Sequence, residues 1–72
     1  MFSMTIQRRK GAKQAISDIV DVLEATNKHV KIIRKLGDEC INMSVPLGEF
    51  DRAFLMNENG ETIDNYKGAG LH

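Results

Sequence analysis

"HVKIIRKLGDECINMSV", residues 29–45, decides the fold of this chain, because two elements of different kind can be written through it. Continued as heptads from the residues before it, Ile16, Ile19, Leu23, Thr26, Val30 and Ile33 take a and d positions. Gly37 then ends a long coiled-coil-type helix that would pair as a homodimer and lead into a β-hairpin. That reading leaves Ile32 facing water. The other reading ends the helix at Asn27 and makes Gly37 and Asp38 a two-residue hairpin turn, with glycine at the first turn position as type II′ requires. In that register Leu36 faces Glu39, Arg34 faces Ile41, Ile32 faces Met43 and Val30 faces Val45. One face then collects Val30, Ile32, Leu36, Ile41, Met43 and Val45, interrupted only by Arg34 and Glu39. A single register that gathers the apolar residues on one side, in a run rich in β-branched residues, favours the hairpin.

Upstream, Phe2, Met4 and Ile6 alternate with polar residues and predict a first strand, broken by Gly11. From Ala12 the spacing changes. Ala12, Ala15, Ile16, Ile19, Val22, Leu23 and Thr26 form the stripe of an amphipathic helix, with Lys13, Gln14, Ser17, Asp18, Asp21 and Glu24 on the wet side. Downstream, Pro46 closes the hairpin and residues 47–51 connect it to a second one. That second hairpin runs from Arg52 to Tyr66, with Asn57 to Gly60 as a type I turn. Residues 67–72 are expected to fray. The predicted fold is α+β, a single domain over residues 1–72 in the order β-α-β-β-β-β, one helix packed on a four- or five-stranded antiparallel sheet.

Composition narrows the function classes. A chain of 72 residues buries a small core, so a partner or a second copy would add useful stability. Its 42% hydrophobic and 28% charged residues are those of a folded protein, and no apolar run has the length of a membrane span. One cysteine, Cys40, cannot form an internal disulfide, which points to a cytoplasmic setting. The net charge of zero conceals an asymmetry: residues 1–36 hold eight Lys/Arg against three Asp/Glu, residues 37–72 two against seven. Such separation commonly goes with an electropositive binding face.

Catalytic and metal chemistry find no support in the spacing. In the hairpin Cys40 and His29 lie six residues apart along the strand pair, roughly 20 Å, too far to share a metal or a proton, so Cys40 reads as a small, partly buried apolar residue. "NENGE", residues 57–61, fails as a calcium loop, since Gly60 at the invariant glycine puts Leu55 and Tyr66 where carboxylates are needed. Asp18, Asp21 and Glu24 read as a solvated helical row. No triad, phosphate-binding loop or cofactor motif is present.

The expectation is therefore a non-enzymatic interaction protein: an inhibitor, adaptor or regulator that covers a surface on a larger protein partner. Its binding residues would be the basic set Arg8, Arg9, Lys10, Lys13, Lys31 and Lys35, or an apolar edge around Phe54 and Met56. The alternative is a small nucleic-acid-binding regulator using the same basic residues, which the sequence shows without interleaved aromatics.

Overall fold

Period-two alternation of Phe2, Met4 and Ile6 produces β1 (Phe2–Gln7) in the computed structural model, which describes residues 1–71. A 3-10 turn (Arg9–Gly11) follows, then β2 (Lys13–Ala25), β3 (His29–Leu36), β4 (Glu39–Pro46), β5 (Arg52–Met56) and β6 (Thr62–Lys67). Among the described residues these six strands form one antiparallel sheet in the order β4-β3-β2-β1-β5-β6, and there is no α-helix. The α+β expectation is overturned. Among the described residues neither the amphipathic helix on a four- or five-stranded sheet nor the coiled-coil helix exists: the first falls on β2, and the second on β2 and β3.

The reason lies in the bulges of β2. Opposite β1, Phe2 and Met4 pair with Ile19 and Ile16, so three residues of β2 span what two span on β1. Opposite β3, Arg34 and Ile33 pair with Ile19 and Asp21, and Ile32 and Lys31 pair with Val22 and Glu24. Each irregularity inserts one extra residue and moves the next inward side chain from i+2 to i+3. Ile16, Ile19, Val22 and Ala25 therefore face one side at a spacing of three, which imitates a helical stripe. Asp18, at φ 59, adopts the left-handed conformation at the first bulge, which a short polar side chain tolerates better than most. Ser17 at this corner has no partner in the register with β1 or β3, and Arg34, the polar interruption predicted for the hairpin face, donates its Nε–H to the Ser17 carbonyl at 2.7 Å.

The hairpin over residues 29–45 has the register read from the sequence: Val30 opposes Val45, Ile32 opposes Met43, Arg34 opposes Ile41 and Leu36 opposes Glu39. Gly37 has φ 62 while Asp38 stays at negative φ, as a type II′ turn demands. In the second hairpin Gly60 has φ 80 and its amide donates to the Asn57 carbonyl at 3.1 Å. Cys40, expected to be partly buried, is exposed.

A single sheet can bury its apolar face only by curling over it. In a flat sheet β4 and β5 would lie four strand spacings apart, roughly 19 Å, and the ends of β1 and β4 three spacings apart, roughly 14 Å. Yet residues 47–51 join β4 to β5 and include a turn closed by the Asp51 amide on the Gly48 carbonyl at 3.1 Å. The Arg8 guanidinium reaches the Pro46 carbonyl at 2.8 Å. The sheet is thus folded into two halves, β6-β5-β1 with the start of β2, and the end of β2 with β3-β4, the bulged strand passing from one to the other. Met4, Ile6, Ile16, Ala53 and Leu55 of the first half meet Ile19, Val30, Ile32 and Val45 of the second in one buried cluster, with Leu47 closing its mouth.

Beyond Lys67, where the sequence suggested fraying, the chain is hydrogen-bonded to the β4–β5 connection: Gly68 N–H donates to the Asp51 carbonyl at 2.9 Å and Gly70 N–H to the Glu49 carbonyl at 2.8 Å. Gly68 is buried, and a Cβ there would lie 1.9 Å from the Gly48 carbonyl oxygen. His72 lies outside the described residues.

Three substitutions test this architecture by denaturant unfolding. Ile19→Ala, at a fully buried position, should lower stability by about 2 to 5 kcal/mol. Leu23→Ala, at a side chain 51% exposed and central to the helical reading, should stay within about 0.5 kcal/mol. Equal losses at both positions would contradict the bulged register. Gly68→Ala should cost about 1 to 3 kcal/mol, because the atom it must displace is backbone.

Candidate functional site

Residues directly opposite one another in an antiparallel ladder share a face, so the register fixes which side chains stand together outside the sheet. Gln7 pairs with Lys13 of β2 on one side and with Arg52 of β5 on the other, and Arg52 pairs with Lys67 of β6. These four form a row across four adjacent strands, roughly 14 Å from Lys13 to Lys67, on the face opposite Ile6 and Ala53. All four are exposed. The next outward row is Ala15, Thr5, Phe54 and Asn65, and beyond it stand Ser3, Met56 and Thr62. Phe54 and Met56 are half-buried there.

The turn that joins β1 to β2 continues the basic end of this face with Arg9 and Lys10, both exposed. Lys10 has φ 68, a left-handed conformation that costs a lysine about 1 kcal/mol or more. The Arg9 guanidinium lies 5.6 Å from the centroid of the Phe50 ring, which the β4–β5 connection presents 48% exposed. Among the described residues, none of Arg9, Lys10, Lys13, Arg52 and Lys67 takes part in an ion pair. Carboxylates gather elsewhere: Asp38 and Glu39 at the β3–β4 turn, Glu58 and Glu61 at the far end of the β5–β6 hairpin. Glu49 is the exposed carboxylate of the adjoining connection.

The Arg52–Lys67 pairing has a direct energetic meaning. Like charges placed opposite each other across two strands destabilise the ladder, by up to about 1 kcal/mol relative to small neutral residues. Here a third cation stands two strands away with only Gln7 between. An anion seated on the row would remove that repulsion.

The residues singled out from the sequence divide three ways. Arg9, Lys10, Lys13, Phe54 and Met56 come together on this half. Arg8 turns away from the others: its Nη1 donates to Asp51 at 2.7 Å and to Pro46, and its Nη2 to Gln14 at 2.7 Å. Lys31 lies on the other half, 3.3 Å from Glu24, which also meets His29 at 3.5 Å. Lys31, and then His29, hold Glu24 below its ordinary range. Lys35 is opposite Cys40 on that same half. The sequence grouped Phe50 with Phe54, Leu55 and Met56 as an apolar cluster that could face a partner, whereas Arg52 and Lys67 were missed. Arg52 and Lys67 are the two basic residues of the acidic half of the chain; the turn at residues 57–60 joins their strands, but only the register shift at Leu55/Met56 sets them opposite each other, and the sequence carries no signal for it.

Asp51 is the structural counterpart of this site. It is buried, and its carboxylate accepts the Gly48 amide at 2.7 Å as well as Arg8. The Gly48 amide, then the Arg8 guanidinium and the Arg9 amide, hold its pKa below the ordinary range against a burial that pushes it up. No group of His, Cys, Asp and Glu suited to a metal ion occurs among the described residues, and no helix there is long and apolar enough to cross a membrane. Comparison with family models, with curated proteins and with solved structures gives no match.

Because the folded-state pKa of Asp51 is depressed, its ionised form adds stability at pH values above the ordinary Asp range. That contribution is lost as pH falls through the folded-state value. Asp51→Asn keeps an acceptor for the Gly48 amide and removes the charge. Unfolding midpoints should show the wild type more stable than this variant at pH 7, with the gap narrowing below about pH 4. A gap independent of pH would deny the ion pair its role.

Proposed function

We propose that this chain is a non-enzymatic binding module and that its partner is a nucleic acid, held by its phosphates on the outer face of β2, β1, β5 and β6. The observation that carries this reading is the cross-strand row Lys13, Gln7, Arg52 and Lys67, extended by Arg9 and Lys10. Five cations with no ion pair among the described residues form, at one end of the molecule, a repulsive arrangement that a polyanion relieves, and phosphate contacts supply the sequence-independent part of nucleic-acid affinity. With zero net charge the chain exerts no general pull on polyanions, so attraction is confined to this end.

The sequence suggested a larger protein as partner, with Phe54 and Met56 as anchors. Their place beside the cations favours nucleic acid over that reading, because it supplies the aromatic surface that the linear order of the basic residues lacks. An acidic protein surface is the competing occupant.

Fluorescence anisotropy with a labelled oligonucleotide, titrated across salt, tests the proposal. Wild-type affinity should fall steeply with salt. Arg52→Glu together with Lys67→Glu should weaken binding to every sequence and flatten the slope of log affinity against log salt by roughly 1.4, if the ligand is single-stranded. Lys35→Glu, on the other half, should change little. Absence of binding near 0.15 M salt would set nucleic acid aside in favour of a protein partner.

A further inference from the structure

Resting on that reading, we infer that the ligand is single-stranded and crosses the sheet at right angles to its strands, its phosphates along the Lys13–Lys67 row and a base stacked on Phe54. The rows themselves define the path. Phe54 stands two residues along β5 from Arg52 on the same face, roughly 7 Å away, comparable to the span of a nucleotide from phosphate to base. Its row contains no other large side chain: Ala15 and Thr5 flank the half-buried Phe54 on one side and Asn65 on the other. Thr5 and Asn65, directly opposite Phe54 on its two neighbouring strands, bring hydroxyl and amide groups within reach of a base edge. Ser3 and Thr62 continue the polar, uncharged surface next to Met56.

A duplex does not fit this surface. The major groove, about 12 Å wide, admits a helix or a two-stranded ribbon. The cation row spans four strands, roughly 14 Å before its side chains are counted. A duplex could touch the row only through its backbone and would leave Phe54 without a partner. An unpaired base, by contrast, offers a flat π face, and stacking on an aromatic ring tolerates any base. Specificity for strandedness thus comes from the second row, and affinity from the first.

The test compares oligo(U), oligo(dT) and a duplex, each of about twelve nucleotides or base pairs, by anisotropy at one salt concentration. Both single strands should bind more tightly than the duplex, and a difference between the two would show which sugar the face prefers. Phe54→Leu keeps an apolar side chain at a half-buried position and should weaken single-strand binding by about tenfold with an unchanged salt slope. The chain has no tryptophan, so Phe54→Trp introduces a lone indole whose fluorescence oligo(dT) should quench. Equal affinity for duplex and single strand, or full affinity in Phe54→Leu with no quenching in Phe54→Trp, would overturn this inference while the nucleic-acid reading stands. Failure of all three probes to bind would remove that reading and this one with it.

Discussion

A sheet with one apolar face and no second layer must provide its own cover, and here that demand falls on β2. Three extra residues within Lys13–Ala25 let one strand serve both halves of the fold, pairing with β1 over its first part and with β3 over its last. Without them a strand of this length would run straight past the core. With them the inward side chains keep facing inward around the corner, and Ile16 and Ile19 fall into the same buried cluster although the strand has changed direction between them. At the corner the Ser17 carbonyl accepts the Arg34 Nε–H, tying β3 to the bulge through a side chain.

The opposite end needs a different closure, since the ladder does not join β4 to β5. There a short connection, a part-buried ion pair and a glycine hold the chain together. Asp51 ties the connection to itself through Gly48 and to β1 through Arg8, while Gly68 allows the chain after β6 to lie against Gly48 and Glu49 at a distance no side chain would permit. Arg8 therefore belongs to the architecture, whereas its neighbour Arg9 faces solvent beside Phe50. Two adjacent arginines thus serve different ends, one held by its carboxylate partner and the other left exposed.

Both hairpins and the first strand were legible in the sequence because their signals are local: period-two alternation, and turns fixed by Gly37 and Gly60 at positive φ. The helix expected over residues 12–26 failed for an equally specific reason. Spacing of three arises from a helix turn and equally from a strand bulged at every third residue, and apolar position alone does not separate them. The β-branched content of "ISDIVDV", residues 16–22, was the contrary signal, outweighed by period. Of the candidate site, Arg9, Lys10 and Lys13 were legible as a cluster in the chain. Arg52 and Lys67 were not, because their meaning lies in a register spanning strands far apart in sequence.

The β1–β5 ladder joins residues from 45 positions apart, Gln7 with Arg52, to 53 apart, Ser3 with Met56. Each neighbouring strand pair that flanks it, β1 with β2 and β5 with β6, is a local hairpin-type contact and carries only part of the cation row. The row is complete only when this most distant pairing has formed, at the end of the longest loop closure in the molecule. Occupancy of the face thereby reports on global folding, and any ligand that bridges Lys13 and Lys67 draws the equilibrium toward the native state by mass action. With a polyanion seated on the row, ligand and ladder would be two ends of one thermodynamic cycle: whatever loosened the pairing of Gln7 with Arg52 would weaken the hold on the ligand, and the bound ligand would in turn resist the opening of the sheet.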